Sequence, residues 1–219
     1  MNTTVLSVTS GTVTVQATGT STTDGFTNGV WAGNVSIDTA QTNAVITATD
    51  SAGGLGTGTE TGTSNAFNVG AGTLDHFTWT VGPAAGQDIE VGTNYSVTIE
   101  ARDSNNNVVT GYTGAANFVN FSGTGVEGTP FSGAFTNGVW SGTVEVVNAD
   151  AAGVTITATD AAGGLGSGTE AGPTNAFDAI PGTLDHFSWA TQPVGPYEAG
   201  DNISVRIEAQ DVYNNVIDT

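Results

Sequence analysis

Thr73-Leu74-Asp75-His76-Phe77 and Thr183-Leu184-Asp185-His186-Phe187 are the same five residues met twice in one chain. Other blocks return in the same order at nearly the same interval. Ile46-Thr47-Ala48-Thr49-Asp50 comes back as Ile156-Thr157-Ala158-Thr159-Asp160, and Phe26-Thr27-Asn28-Gly29-Val30-Trp31 as Phe135-Thr136-Asn137-Gly138-Val139-Trp140. Ile99-Glu100-Ala101 comes back as Ile207-Glu208-Ala209. Chance does not produce ordered identities of this kind, so the chain is internally repeated with a period of about 110 residues. A unit of that size can bury a two-sheet core without metals or disulfides.

One whole period runs over 73–182, and its strands are read from period-2 alternation. A strand over 74–81 sets Asp75, Phe77 and Trp79 on one face. A strand over 95–102 points Tyr95, Val97, Ile99 and Ala101 one way and Ser96, Thr98, Glu100 and Arg102 to solvent. Further strands are predicted over 107–112, 116–122, 139–147, 154–160 and 175–180. Val139, Val144, Val146, Val154, Ile156 and Ala158 are expected inward. Asn28-Gly29 and Asn137-Gly138 are two-residue hairpin signals, because Asn and Gly both tolerate positive φ. The 32 glycines, with abundant Thr and Val and few helix formers, point to an all-β class. About seven short strands with regular turn signals predict an immunoglobulin-like β-sandwich. The joins Val69-Gly70-Ala71-Gly72 and Ile180-Pro181-Gly182 are short, so successive units are expected end to end with limited bending.

The phase of the repeat divides the chain in three. Asn2 to Gly11 matches Asn105 to Gly114, and Asp211 onward matches Asp103 onward. Residues 1–72 therefore carry the C-terminal part of a repeat, 73–182 a complete repeat, and 183–219 the N-terminal part of another. Neither part closes a core alone, since each leaves strand edges unpaired and an apolar face uncovered. Two readings follow. The chain is a window onto a longer repeat protein, or each subunit donates its last strands to the incomplete first unit of the next, building an open filament. In both, the partners are other copies or further repeats of the same protein, head to tail.

The ordered motifs LDHF, YSVTIEARD, NNNVVTGYTG, FTNGVW and ITATD, followed by a Gly-rich stretch and NAF, span essentially the whole chain. In this order they resemble the tandem immunoglobulin-like repeats of large bacterial and archaeal surface proteins, including the invasin and intimin group. The resemblance implies an extracellular or cell-surface location on a prokaryotic cell and a structural role as stalk, filament or surface-layer component. The alternative it leaves open is an adhesin stalk or binding module that contacts carbohydrate or protein. Catalysis is not expected, because active sites are rarely duplicated in every module of a stalk.

Charge narrows the partners. Asp and Glu total 21 against two basic residues, Arg102 and Arg206, for a net charge of −19. Nucleic-acid binding is excluded, because neutralising phosphates needs Lys and Arg. Attraction to an anionic membrane fails for the same reason, and no apolar run is long enough to insert in a bilayer. The acidity reads as a solubilising surface, a high-salt or surface environment, or a collector of divalent cations. With no cysteine there is no disulfide framework and no Cys-ligated zinc. Met1-Asn2-Thr3-Thr4 begins no signal peptide, so an exported protein would hold this chain as a mature or excised piece.

Four carboxylates end strands or open turns and are calcium candidates: Asp50, Asp103, Asp160 and Asp211. Asp103-Ser104-Asn105-Asn106-Asn107 has alternating oxygen ligands but lacks the glycine and closing Glu of a helical calcium loop. The glycine runs Gly53-Gly54-Leu55-Gly56-Thr57-Gly58 and Gly163-Gly164-Leu165-Gly166-Ser167-Gly168 lack the Lys of a phosphate loop and read as hairpin loops. Asp75-His76 and Asp185-His186 are adjacent in sequence, which on a strand sends the two side chains to opposite faces and gives no relay. Trp79 and Trp189, and likewise Trp31 and Trp140, share repeat positions and read as packing residues or as a sugar-stacking platform. Sequons occur at Asn2, Asn34, Asn94, Asn120 and Asn202; Asn94 and Asn202 are equivalent and are the glycosylation candidates.

Overall fold

A computed structural model of the chain describes residues 12–17, 30–32, 34–50, 61–126 and 131–218. The fold is all-β, with no helix among the described residues. It divides into two compact units, Met1–Thr73 with Asp103–Val108, and Leu74–Arg102 with Val109–Thr219.

The first unit is built on one long strand. The strands are β1 (Thr12–Ala17), β2 (Gln41–Asp50), β3 (Thr61–Thr63) and β4 (Phe67–Val69). β1 lies parallel to β2, while β3 and β4 pair antiparallel with the two halves of β2. The β2–β4 register shifts between Gln41 and Ala44, where Asn43 takes a φ of 57°. Asn tolerates this left-handed conformation, so a bulge sits there at small cost.

The second unit holds β5 (His76–Val81), β6 (Asp88–Glu90), β7 (Tyr95–Arg102), β8 (Val119–Ser122), β9 (Val139–Val144) and β10 (Asp150–Val154). It continues with β11 (Thr157–Asp160), β12 (Ala171–Pro173), β13 (Phe177–Ile180), β14 (His186–Thr191) and β15 (Arg206–Gln210). The sheets are β5-β7-β9, β8-β11-β12, β6-β13-β10 and β14-β15. All pairs are antiparallel except β13 with β6. The pattern at 95–102 emerges in part: Val97, Ile99 and Ala101 are buried and Ser96 is exposed, whereas Tyr95, Thr98, Glu100 and Arg102 are half-buried. Val144, Val146, Val154, Ile156 and Ala158 are buried as well.

Aromatic rings tie these sheets together. Phe77 of β5 meets Tyr112 and Phe135 at ring distances of 5.5 and 5.9 Å. Phe121 of β8 lies 5.7 Å from both Trp79 of β5 and Trp140 of β9. Side chains from separate small sheets thus share one apolar interior, an arrangement compatible with a β-sandwich. The hairpin signal at Asn137-Gly138 is realised: both residues have positive φ, 50° and 79°, and Thr136 and Val139 exchange two backbone bonds across the turn. Its counterpart Asn28-Gly29 lies outside the described residues.

Two expectations need correction. Residues 107–112 form turns and an isolated bridge, not a strand. The cause is local: the Asp103 carboxylate accepts the Asn105 and Asn107 amides, and Asn106 takes a φ of 63°, so side chains compete with the ladder. The strand read over 154–160 starts earlier, at Asp150, and is interrupted after Val154, with β11 resuming at Thr157.

Candidate functional site

The most developed polar arrangement occurs twice, once in each unit. In the first unit, Asp103 Oδ2 accepts the backbone N–H of Gly72 at 2.7 Å. Its Oδ1 accepts the amides of Asn105 and Asn107 at 2.9 and 2.8 Å. The Asn107 side chain donates to that carboxylate and to the Asp38 carbonyl at 2.7 Å, and its Oδ1 accepts the Ala40 amide at 2.8 Å. In the second unit, Asp211 Oδ2 accepts Gly182 N–H at 2.9 Å and Oδ1 accepts the amides of Tyr213 and Asn215, each at 2.9 Å. Asn215 donates to Asp211 and to the Val147 carbonyl at 2.9 Å and accepts from the Ala149 amide at 2.9 Å. Asp103 and Asp211 are both buried. Burial pushes these carboxyls up, but the Asn side chain and three backbone amides outweigh it and hold each below its ordinary value.

Asp160 has a different nest. It is buried and accepts the Tyr112 hydroxyl at 2.6 Å and the amides of Ala162 and Gly168 at 3.2 and 2.9 Å. The Phe118 carbonyl lies 2.8 Å from the same hydroxyl and shares its single proton with Asp160. Burial first, then the Asp160 hydrogen bond and the charges of Asp160 and Glu170, push this hydroxyl well above its usual value, so it stays a donor. The glycine-rich loop between β11 and β12 closes over this carboxylate. A Cβ on Gly166 would collide with the Asp160 carboxyl, so glycine at this position is a packing requirement. Gly53 to Gly58, the equivalent run, lies outside the described residues.

These contacts bear on the calcium candidates. Calcium takes about six to eight oxygen ligands. The carboxylate oxygens of Asp103, Asp160 and Asp211 accept N–H and O–H groups of the protein. The Asp50 side chain lies outside the described residues. Among the described residues, no three of His, Cys, Asp and Glu come together as a metal site.

The Asp-His reading is corrected. His76 Nδ1 lies 2.9 Å from Asp75 Oδ2, and His186 Nδ1 lies 3.0 Å from Asp185 Oδ2. β5 and β14 begin at the histidines, so each aspartate precedes the strand and strand alternation does not separate the pair. Trp79 is half-buried and donates Nε1–H to the Gly172 carbonyl at 2.8 Å, whereas Trp31 and Trp189 are exposed. Asn94 and Asn202 are both exposed; Asn94 sits immediately before β7. The second unit also has two open clefts, one beside Trp79 and Pro173 and one beside Asp88, Asp178 and Ile217.

The paired Asp-Asn arrangement was half-legible. Asp103 and Asp211 stand out as carboxylates opening a turn and Asn107 as one of the alternating oxygens of 103–107, but residue type alone assigns Asn107 and Asn215 no main-chain partner. The signal that finds them is their recurrence four residues after the aspartate in both copies. Comparison with models of protein families, with curated proteins and with solved structures gives no match to this chain.

Proposed function

We propose that this chain is a structural segment of an extracellular rod, filament or surface-layer protein of a prokaryotic cell, built of immunoglobulin-like repeats joined end to end. The observation that carries the proposal is one apolar strand pair found in two environments. β14–β15 repeats the pairing of β5–β7 residue for residue: Phe187 faces Ala209 as Phe77 faces Ala101, and Trp189 faces Ile207 as Trp79 faces Ile99. Even the register shift after the Trp recurs. Phe77 and Ile99 are 3% and 0% exposed, while Phe187 and Ile207 are 65% and 50% exposed. Leu184 and Val205 are exposed in the same way. A contiguous apolar face of this kind marks an interaction surface.

β5–β7 is extended at its edge by β9 and faced by the rings of Tyr112, Phe121 and Phe135. The partner that fits β14–β15 is therefore another set of those strands, supplied by a further repeat or by residues 1–72 of another copy, head to tail. Closure by another copy is strand complementation, and its contact is heterologous, so it propagates into a filament. The experiment compares the chain with one lacking residues 183–219 by sedimentation velocity and electron microscopy. The whole chain is expected to assemble and the truncated chain to stay monomeric. Unchanged filaments from the truncation remove complementation by this segment.

The exposed Trp31 favours a second reading, an adhesin stalk or binding module that contacts carbohydrate or protein through aromatic rings. Glycan binding by the chain, lost in Trp31→Ala, is the result that selects it.

A further inference from the structure

We infer that the Asp-x-x-x-Asn loops at 103–107 and 211–215 are docking sites for a second repeat of this protein, metal-free clasps whose Asp and Asn side chains seize the backbone of the preceding repeat. In both copies, a loop that sequence order assigns to one repeat is built into residues assigned to the one before. The Asn side-chain amide bonds a carbonyl and an N–H two residues apart, Asp38 and Ala40 in one copy, Val147 and Ala149 in the other. That is the pattern a neighbouring strand would offer, so the primary amide acts as a single rung of β-ladder. The Asp carboxylate completes the grip by holding the N–H of the last linker glycine, Gly72 or Gly182, and by orienting the Asn through its Nδ2.

Every atom that the Asp and Asn of the clasp bind on the receiving side belongs to the main chain. One receiving residue differs, Asp38 against Val147, while Ala40 and Gly72 match Ala149 and Gly182, and the two sets of main-chain bonds agree within a few tenths of an ångström. Recognition is therefore specific for backbone geometry. The partner it fits is any segment that offers a carbonyl and an amide two residues apart beside a glycine amide. Because both carboxylates are buried, a docking that left them without donors would be costly, and one arrangement is favoured over its alternatives.

The third loop position is free to add strength. Tyr213, the counterpart of Asn105, donates its hydroxyl to Glu145 at 3.0 Å and lays its ring over Gly92. Gly92 has a φ of 77°, and a Cβ there would stand 2.5 Å from the ring. This clasp goes beyond the proposed structural role, because it operates equally in a rod, a filament or an adhesin stalk.

The test is amide hydrogen exchange on the whole chain by NMR. In Asn107→Ala, exchange at Ala40 and Gly72 is expected to rise about tenfold or more while Ala149 and Gly182 hold; Asn215→Ala is expected to give the mirror image. Asn107→Asp and Asn215→Asp, which keep the shape and lose the Nδ2 donor, should behave like the alanine variants. EDTA should leave all four amides protected. Unchanged exchange at the paired amides overturns the inference. So does acceleration that spreads equally to both loops and to β7, which would make the Asn a core support, and so does loss of protection on chelation.

Discussion

Glu170 illustrates how this chain treats a carboxylate that leaves full solvation. Hydrogen bonds from the Ser167 hydroxyl, at 2.6 Å, and from the Ser167 and Thr169 amides bind its charged form. They hold its pKa at about 2, against an ordinary value of 4.5, despite partial burial that acts the other way. A carboxyl depressed in the folded state contributes stability above its unfolded pKa and loses it as the pH falls through the folded one. Stability from Glu170 is therefore full above about pH 4.5 and declines toward pH 2. Asp103 and Asp211 act with the same sign. Urea denaturation across this range should show the decline, and Glu170→Gln should flatten part of it. An unchanged slope in the variant would sink the assignment.

At the scale of elements, β5–β7 and β14–β15 are one sequence pattern in two surroundings, which makes the environment measurable. Ile99 is fully buried, so Ile99→Ala removes buried methylenes and leaves a cavity, at a cost of about 2–5 kcal/mol. Ile207 stands half-exposed at the matching position, so Ile207→Ala in the unassembled chain should cost well under about 1 kcal/mol. Chemical denaturation followed by Trp fluorescence measures both. Equal costs would mean that the β14–β15 face is already covered. The buried positions at 95–102 were legible because one face of β7 is fully buried and the other only half-covered, so apolar and polar residues alternate. The segment 107–112 misled because Asp103 draws local amides into a turn, a competition that apolar spacing does not register. The three-residue strands β6 and β12 are too short to show a period.

At the scale of the molecule, charge opposes the proposed assembly. Each copy carries −19, and both arginines sit beside glutamates on their own strands, Arg102 with Glu100 and Arg206 with Glu208. Copies that meet head to tail must overcome mutual repulsion before apolar surface is buried. Raising ionic strength from about 0.01 M to about 0.15 M shortens the screening length from about 30 Å to about 8 Å. Self-association should therefore strengthen with salt when followed by sedimentation velocity. Weakening with salt would mean that charge attraction holds the copies together, contrary to burial of β14–β15.

The sequence by itself determined the repetition, the all-β class, the inward residues of the 95–102 strand, the Asn137-Gly138 turn and the absence of any disulfide. These are local or periodic properties, carried by residue type and spacing alone. Only the tertiary structure decided what Asp103, Asp160 and Asp211 do, and which main-chain groups Asn107 and Asn215 hold. Their bonds reach carbonyls and amides 66 to 69 residues away in the chain. Every residue except proline offers a backbone carbonyl and N–H, so the receiving end has no signature in the sequence. The opposite fates of Phe77 and Phe187 have the same origin: the residues are identical, and burial is decided by which strands lie over them.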